Sequence, residues 1–251
     1  MSRYRPLILP AVLTLAALGV LIGLGNWQLD RLAWKEALIE RIEARANGEA
    51  VSMALAKEAW EGERDVEYYR VLLIGRFLHA YERHLYGIVD GNAGWRVITP
   101  LETSGGDIIL VDRGIVPEPL KDAAKRGEGQ IAGTVELVGI ARAPGAPSAF
   151  TPDNQPAANR WFWRDVDGMI ASLPEELRTR VLPFMAEAEK MDVPGGWPRG
   201  GATYLDLPNR HLEYALTWFG LALALLGVFG VYARRKLYEP RQQGSDSGGS
   251  V

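Results

Sequence analysis

Residues 207–236 read LPNRHLEYALTWFGLALALLGVFGVYARRK, and this stretch predicts a helix that crosses a membrane. Its central part, residues 214–233, is 20 residues long and carries no charge. Residues 7–26, LILPAVLTLAALGVLIGLGN, form a second charge-free run of 20 residues. At the rise of an α-helix, such a run is about 30 Å long and matches the hydrocarbon core of a bilayer. Both runs therefore predict transmembrane helices, and a buried helix of a soluble protein is the alternative for each.

The first run also has features of a cleaved signal peptide, because Arg3 and Arg5 precede it. However, the apolar region of a signal peptide is typically only about 7–15 residues long, and no A-x-A cleavage site follows this run. An uncleaved membrane anchor is therefore the better interpretation. The run also lacks the Arg- and Ser-rich amphipathic leader of a mitochondrial precursor, which favours the inner membrane of a bacterial cell.

Basic residues around the two runs bear on their orientation. Residues 234–236, Arg-Arg-Lys, directly follow the second run, and by the positive-inside rule they predict a cytoplasmic C-terminus. Around the first run the basic residues give no clear orientation, since Arg3 and Arg5 precede it and four basic residues follow it between positions 31 and 45. The second run carries more weight, because long domains translocate largely regardless of their own charge.

Two spans place both termini on the same side of the membrane. We therefore predict that the termini, residues 1–6 and 234–251, are cytoplasmic. The two spans, residues 7–26 and 214–233, then enclose a periplasmic domain of residues 27–210, and the protein is a multi-pass protein of the bilayer.

Small residues predict how the two spans pack. Gly19 and Gly23 form a G-x-x-x-G pattern in the first span, and Gly220 with Ala224 has the same spacing in the second. Small side chains at this spacing let two helix backbones approach closely, so we expect the spans to pack through these four residues.

The region between the spans predicts a helix followed by a sheet. Residues 28–48 have the pattern of a helix that continues the first span and stops at Gly48. Further along, short segments rich in β-branched and aromatic residues alternate with Gly- and Asp-rich turns. They are residues 66–77, 82–89, 94–103, 107–116, 134–143 and 159–166. A short helix is predicted within residues 167–179, and the last residues, 239–251, have the composition of a disordered tail.

This pattern defines the predicted fold class. It is an α+β membrane protein in which two transmembrane helices form a hairpin and an antiparallel, β-rich, barrel-like domain lies between them.

Composition and motifs exclude several classes of function. The net charge is −3, so there is no basic field for a nucleic acid. The chain has no cysteine, which excludes disulfides, thiolate catalysis, iron–sulfur clusters and cysteine zinc sites. No hydrolase, zinc-protease, P-loop or dinucleotide-binding motif is present. Nothing in these motifs supports a hydrolase or a transferase.

Two pairs of residues invite a catalytic or metal-binding interpretation. His79 and His84 are five residues apart, which places them on opposite faces of a single strand, and no acidic residue has a ligand spacing. We expect them to be surface or turn histidines. Asp112 and Arg113 end an apolar strand, and we expect a structural ion pair there rather than an acid–base couple.

Four motifs in order carry a family resemblance. They are LGNWQLDRLAWKEALI (24–39), YYRVLLIGRF (68–77), GWRVITPL with ILVDRGIVP (94–117), and NRHLEYALTWF (209–219). Together they resemble the Surfeit locus protein one family of cytochrome oxidase assembly factors. Members of that family more often carry asparagine at the position of Asp112.

The resemblance implies a non-enzymatic assembly factor for haem–copper terminal oxidases. Such a protein acts where haem a enters the catalytic subunit of the oxidase, which is the expected partner together with haem a synthase. Bacterial members are thought to bind haem a through the histidine at the mouth of the second span. Here that residue is His211, the proposed axial ligand of the haem iron.

The residues that follow His211 bear on whether it can ligate a haem. A helix that starts there places Ala215, Trp218 and Ala222 along one face, and the two alanines would leave room for a flat macrocycle. Trp218 or Tyr214 could stack on the ring, and a neutral imidazole is a common axial ligand. The alternative is a histidine at the membrane interface that binds headgroups or caps the helix.

Two other functions stay open from the sequence. The first is a membrane-anchored scaffold that docks a partner and binds no cofactor. The second is an enzyme of the periplasmic face, which would need a catalytic cluster that the sequence does not show.

Overall fold

The computed structural model describes residues 5–201 and 208–238. The chain divides into two compact units: residues 1–40 with 207–251, here called the helical unit, and residues 41–206, the sheet unit. The helices are α1 (Arg5–Ala46), α2 (Met53–Glu63), α3 (Val166–Ala171), α4 (Glu175–Arg178) and α5 (His211–Tyr238). The predicted tail lies outside the described residues.

The helical unit contains the two apolar runs. Helices α1 and α5 are both long and apolar enough to cross a bilayer, which indicates a membrane protein. The predicted continuation of the first run beyond residue 28 is confirmed, because α1 is unbroken as far as Ala46. The span limits at residues 7–26 and 214–233 stay predictions.

The two helices pack through a seam of residues spaced by seven. Leu18 and Gly25 are buried on α1, and Ala215 and Ala222 are buried on α5. The ring of Phe219 lies against Gly25, where an added Cβ would come within 2.6 Å of it. A seven-residue repeat of buried positions is typical of left-handed helix packing.

The predicted contact through small residues at four-residue spacing is therefore wrong. Gly19, Gly23, Gly220 and Ala224 are all exposed, and an added Cβ at any of the three glycines would meet nothing within 4 Å. The four-residue repeat and the seven-residue repeat lie on different faces of a helix, and the structure uses the second one.

The sheet unit contains seven strands. They are β1 (Val51–Ser52), β2 (Arg70–Phe77), β3 (Arg83–Val89), β4 (Asn92–Thr103), β5 (Ile108–Pro117), β6 (Thr134–Arg142) and β7 (Val181–Ala188). Their order is β1-β2-β6-β7-β5-β4-β3, and β2 also pairs with β4. Strands β2, β6, β7, β5 and β4 thus close into a five-stranded barrel, as the sequence predicted.

The barrel departs from the prediction in two respects. Its β5–β7 pair is parallel, whereas its other pairs are antiparallel. The predicted strand at residues 159–166 is wrong, because this segment makes only isolated bridges and buries Trp161 over the outer face of the sheet. A segment rich in aromatic residues resembles a strand in sequence, which explains the error.

Alternating side chains build the core on both faces of the barrel wall. Ile109 and Val111 point into the barrel, and Leu110 between them packs outside it against α3. The hairpin between β3 and β4 has the predicted tight turn, with Asp90 and Gly91 at φ +48° and +79°. Positive φ at both central residues matches the twist of the strands.

Candidate functional site

The candidate site lies at the start of α5. His211 is the first residue of this helix, and its backbone N–H is 3.4 Å from the side-chain oxygen of Asn209. An asparagine before the first helical residues supplies an acceptor to N–H groups that the helix leaves unpaired. The position of His211 at the mouth of an apolar helix is therefore built by local sequence.

The imidazole of His211 contacts the other helix of its unit. Its Nδ1 atom lies 2.7 Å from Oε1 of Gln28 on α1. Because an amide oxygen only accepts, Nδ1 is the donor in this contact, and in the neutral form of the ring the lone pair is then on Nε2. Nε2 has no hydrogen-bond partner within residues 5–201 and 208–238.

The predicted cradle for a macrocycle along α5 is wrong. Ala215 is 1% exposed and Ala222 is 6% exposed, because both face the packing seam between the helices. Tyr214 is instead 55% exposed and Trp218 is half-buried. The structure thus leaves aromatic surface beside His211 but no open channel over the alanines.

The imidazole of His211 suits a single bond to a metal. A neutral imidazole with its N–H engaged and its other nitrogen free is the form in which histidine coordinates iron. Tyr214 and Trp218 add apolar surface on the same helix. The residues present therefore fit a haem that His211 would hold through Nε2.

Gln28 is absent from the residues predicted as a site, although a signal for it was present. It follows the end of the first apolar run by two residues, and His211 precedes the second run by three. In an antiparallel helix pair, those two positions lie at the same end. Combining the predicted hairpin with the position of His211 would have identified it.

The other two histidines are in the sheet unit, and the structure corrects their predicted placement. His79 lies in a 3₁₀ turn (His79–Tyr81) and His84 lies on β3, so they do not share a strand. His84 also has an acidic partner, since its Nε2 is 2.7 Å from Oε1 of Glu82. Nε2 of His79 is 2.9 Å from the carbonyl oxygen of Ile131.

Glu82 forms a buried ion pair. Its carboxylate accepts hydrogen bonds from Nη2 of Arg126 and from His84. Burial acts to raise the pKa of Glu82, but the bonds from His84 and Arg126 outweigh it and lower that pKa. The cluster is a structural feature of the sheet unit, since its charges are buried and paired.

Asp112 and Arg113 do not form the predicted ion pair. They are consecutive on β5 and point to opposite faces of the sheet. Asp112 pairs with Arg96 and accepts from the N–H of Gly114 at 2.9 Å, and burial raises the pKa of Asp112. The Asp112–Arg96 contact therefore joins the GWR and DRG motifs.

Arg113 lies at the end of the barrel interior. Its guanidinium is 4.6 Å from the ring centre of Phe77 and donates to the carbonyl oxygen of Gly129. Burial lowers the pKa of Arg113 to about 10. Within the described ranges, no three His, Cys, Asp or Glu side chains are grouped so that they could hold a metal ion.

The fold and site together define a small α+β protein with two helices fit to cross a membrane and a closed five-stranded barrel. The sequence profile of the SURF1 family matches residues 15–223. The chain belongs to the SURF1 family, which confirms the resemblance carried by the four motifs.

Curated relatives support this assignment along most of the chain. A SURF1-like protein of Monosiga brevicollis is 37% identical over 230 residues, which cover 86% of this chain and 84% of the relative. The Surfeit locus protein 1 of Xenopus tropicalis is 35% identical over 220 residues, covering 80% and 68%. The human Surfeit locus protein 1 is 34% identical over 220 residues, covering 80% and 70%.

Proposed function

We propose that this protein is an assembly factor for a haem–copper terminal oxidase, cytochrome c oxidase. It assists the insertion of haem a into the catalytic subunit, and it binds haem a through His211. It acts by holding a cofactor and contacting partners rather than by catalysing a reaction. The proposal rests on Nε2 of His211, which has no hydrogen-bond partner among the described residues, in a member of the SURF1 family whose Tyr214 is exposed on the same helix.

The chain's own residues have distinct roles in this proposal. His211 would hold the haem through the lone pair of Nε2, and the iron would supply the Lewis-acidic centre for that nitrogen. Tyr214 and Trp218 offer aromatic surface against which the porphyrin ring can pack. The membrane edge allows apolar ring atoms to be buried while the charged propionates stay in water.

The proposed location follows from charge and from the apolar helices. The protein lies in the inner membrane of a bacterial cell, with both termini in the cytoplasm and residues 27–210 in the periplasm. The basic residues 234–236 after the second span support this orientation. The catalytic subunit of the oxidase, haem a synthase and the lipid bilayer are the proposed partners.

The experiment is a complementation assay with a chemical readout. Cells that lack the gene receive wild-type protein, His211→Ala or Leu212→Ala, and the oxidase is purified and its haem a content per enzyme is measured. We expect Leu212→Ala, a change at an exposed neighbouring residue, to restore the wild-type content, and His211→Ala to leave the oxidase deficient in haem a.

One outcome would favour a different function. If His211→Ala accumulates in the membrane and restores the full haem a content, the protein does not act through this ligand. A membrane-anchored scaffold without a cofactor would then be the better explanation.

A further inference from the structure

The contact between His211 and Gln28 is a hydrogen bond between side chains 183 residues apart in sequence. Both residues are half-buried, and they lie on different helices of the helical unit. The bond therefore depends on the antiparallel pairing of α1 with α5. Helix packing, and not local sequence, brings the acceptor to the imidazole.

A hydrogen bond at one ring nitrogen decides the chemistry of the other. A neutral imidazole has one N–H, which can be on Nδ1 or on Nε2, and only the nitrogen without a hydrogen can coordinate a metal. The amide oxygen of Gln28, at 2.7 Å, stabilises the hydrogen on Nδ1. The lone pair is then on Nε2, which points away from the hydrogen bond.

The bond also restricts the orientation of the ring. Rotation about the Cβ–Cγ bond of His211 would break the contact with Gln28 and leave the ring N–H without this acceptor. Histidines that bind metals usually donate their second N–H to a fixed acceptor, and this acceptor commonly changes metal affinity by about 10–100-fold when it is removed.

We propose that Gln28 is a positioning residue for His211: it holds the imidazole as the Nδ1–H tautomer and aims Nε2 at the ligand. The assignment of the tautomer concerns the protein without cofactor. The consequence for haem affinity rests on the function proposed above, because it requires His211 to be the ligand.

The tautomer is measured by NMR of the full-length protein in detergent, with ¹⁵N-labelled histidine at about pH 8, where an ordinary imidazole is neutral. The chain has three histidines, so the His211 signals are assigned by their loss in His211→Ala. We expect the Nδ1–H tautomer in the wild type and in Gln28→Glu, which retains an acceptor. Gln28→Leu should shift His211 toward the Nε2–H tautomer.

A matched control uses the same helix. Asn26 is exposed and lies two residues before Gln28, so Asn26→Leu makes a similar change in side chain without touching His211. It should keep the Nδ1–H tautomer. A wild-type His211 in the Nε2–H form, or a Gln28→Leu variant with an unchanged tautomer, would overturn the assignment.

Titration with haem a separates this inference from the proposed function. We expect Gln28→Leu to bind haem a about 10–100-fold more weakly, and Gln28→Glu to recover most of the affinity. If His211→Ala loses binding while Gln28→Leu keeps the wild-type affinity, the positioning role fails and the ligand assignment stands. If His211→Ala binds as the wild type does, the ligand assignment fails, while the tautomer assignment is still decided by NMR.

Discussion

The glycine of the DRG motif offers a prediction whose size follows from the geometry. Gly114 has a φ of +111°, a conformation that side chains other than glycine rarely adopt. An added Cβ would lie 2.0 Å from the carbonyl oxygen of Arg199, which is far inside van der Waals contact. Gly114→Ala must therefore push the backbone at Arg199 away.

That displacement has a definite cost. Ile115 donates to the oxygen of Arg199 at 2.9 Å, and Arg199 donates back to Ile115 at 3.0 Å. Losing both bonds costs about 1 kcal/mol each, and a positive φ in alanine adds about 1–3 kcal/mol. We expect a loss of about 3–5 kcal/mol, which for a chain of this size lowers the melting temperature by about 10 °C.

The assay is thermal unfolding of the full-length protein in detergent, followed by circular dichroism. Two control variants separate the cost of the positive φ from the cost of the contact with Arg199. Gly133→Ala has the strain without the contact, since its φ is +84° and nothing lies within 4 Å, so its melting temperature should fall by less. Gly105→Ala, where an added Cβ would make only an ordinary contact at 3.9 Å with Oγ1 of Thr103 and φ is not positive, should have almost no effect. If Gly114→Ala and Gly133→Ala unfold at the same temperature, the contact with Arg199 does not matter and the reasoning is refuted.

Three further predictions concern packing, pH and topology. Gly25→Leu should lower the melting temperature in detergent, because the ring of Phe219 on α5 lies where the new side chain would go. Gly23→Leu should leave the melting temperature unchanged, and equal effects of the two changes would contradict packing through residues spaced by seven. Burial lowers the pKa of His79 below its usual value of 6.5, so the unfolded chain binds more protons than the folded one. The free energy of unfolding should therefore decrease as pH falls below about 6.5, and His79→Gln should remove the part of this decrease that His79 causes. A pH profile of stability that is the same in His79→Gln and in the wild type would contradict the prediction. Since the chain has no cysteine, Ser104→Cys should react with a membrane-impermeant maleimide from the periplasm and Tyr238→Cys should not; the reverse pattern would invert the orientation.

Much of the fold could be predicted because apolar patterns report burial directly. The two charge-free runs and five of the seven strands follow from hydrophobic composition alone. Strand β7 was missed because Pro183 and Glu187 interrupt its apolar pattern. Glu187 is tolerated there since Arg142 and Arg164 pair with it, and those contacts join residues distant in sequence.

The site could be predicted only in part, because some of its contacts join residues that are distant in sequence. His211 stands out as a polar residue at the mouth of an apolar run. Its partner Gln28 and the burial of Ala215 depend on which faces of α1 and α5 meet. A local motif such as G-x-x-x-G does not determine that choice, because several faces of an apolar helix can pack.

The central claim is that His211 holds haem a, and the most direct measurement is a spectral titration of the purified protein with haem a. We predict that the wild type forms a complex with the absorption spectrum of an imidazole-ligated haem. His211→Ala should lose that spectrum, and added free imidazole should restore it by supplying the missing nitrogen. A His211→Ala protein that binds haem a with unaltered spectrum and affinity, in the absence of imidazole, would contradict the claim.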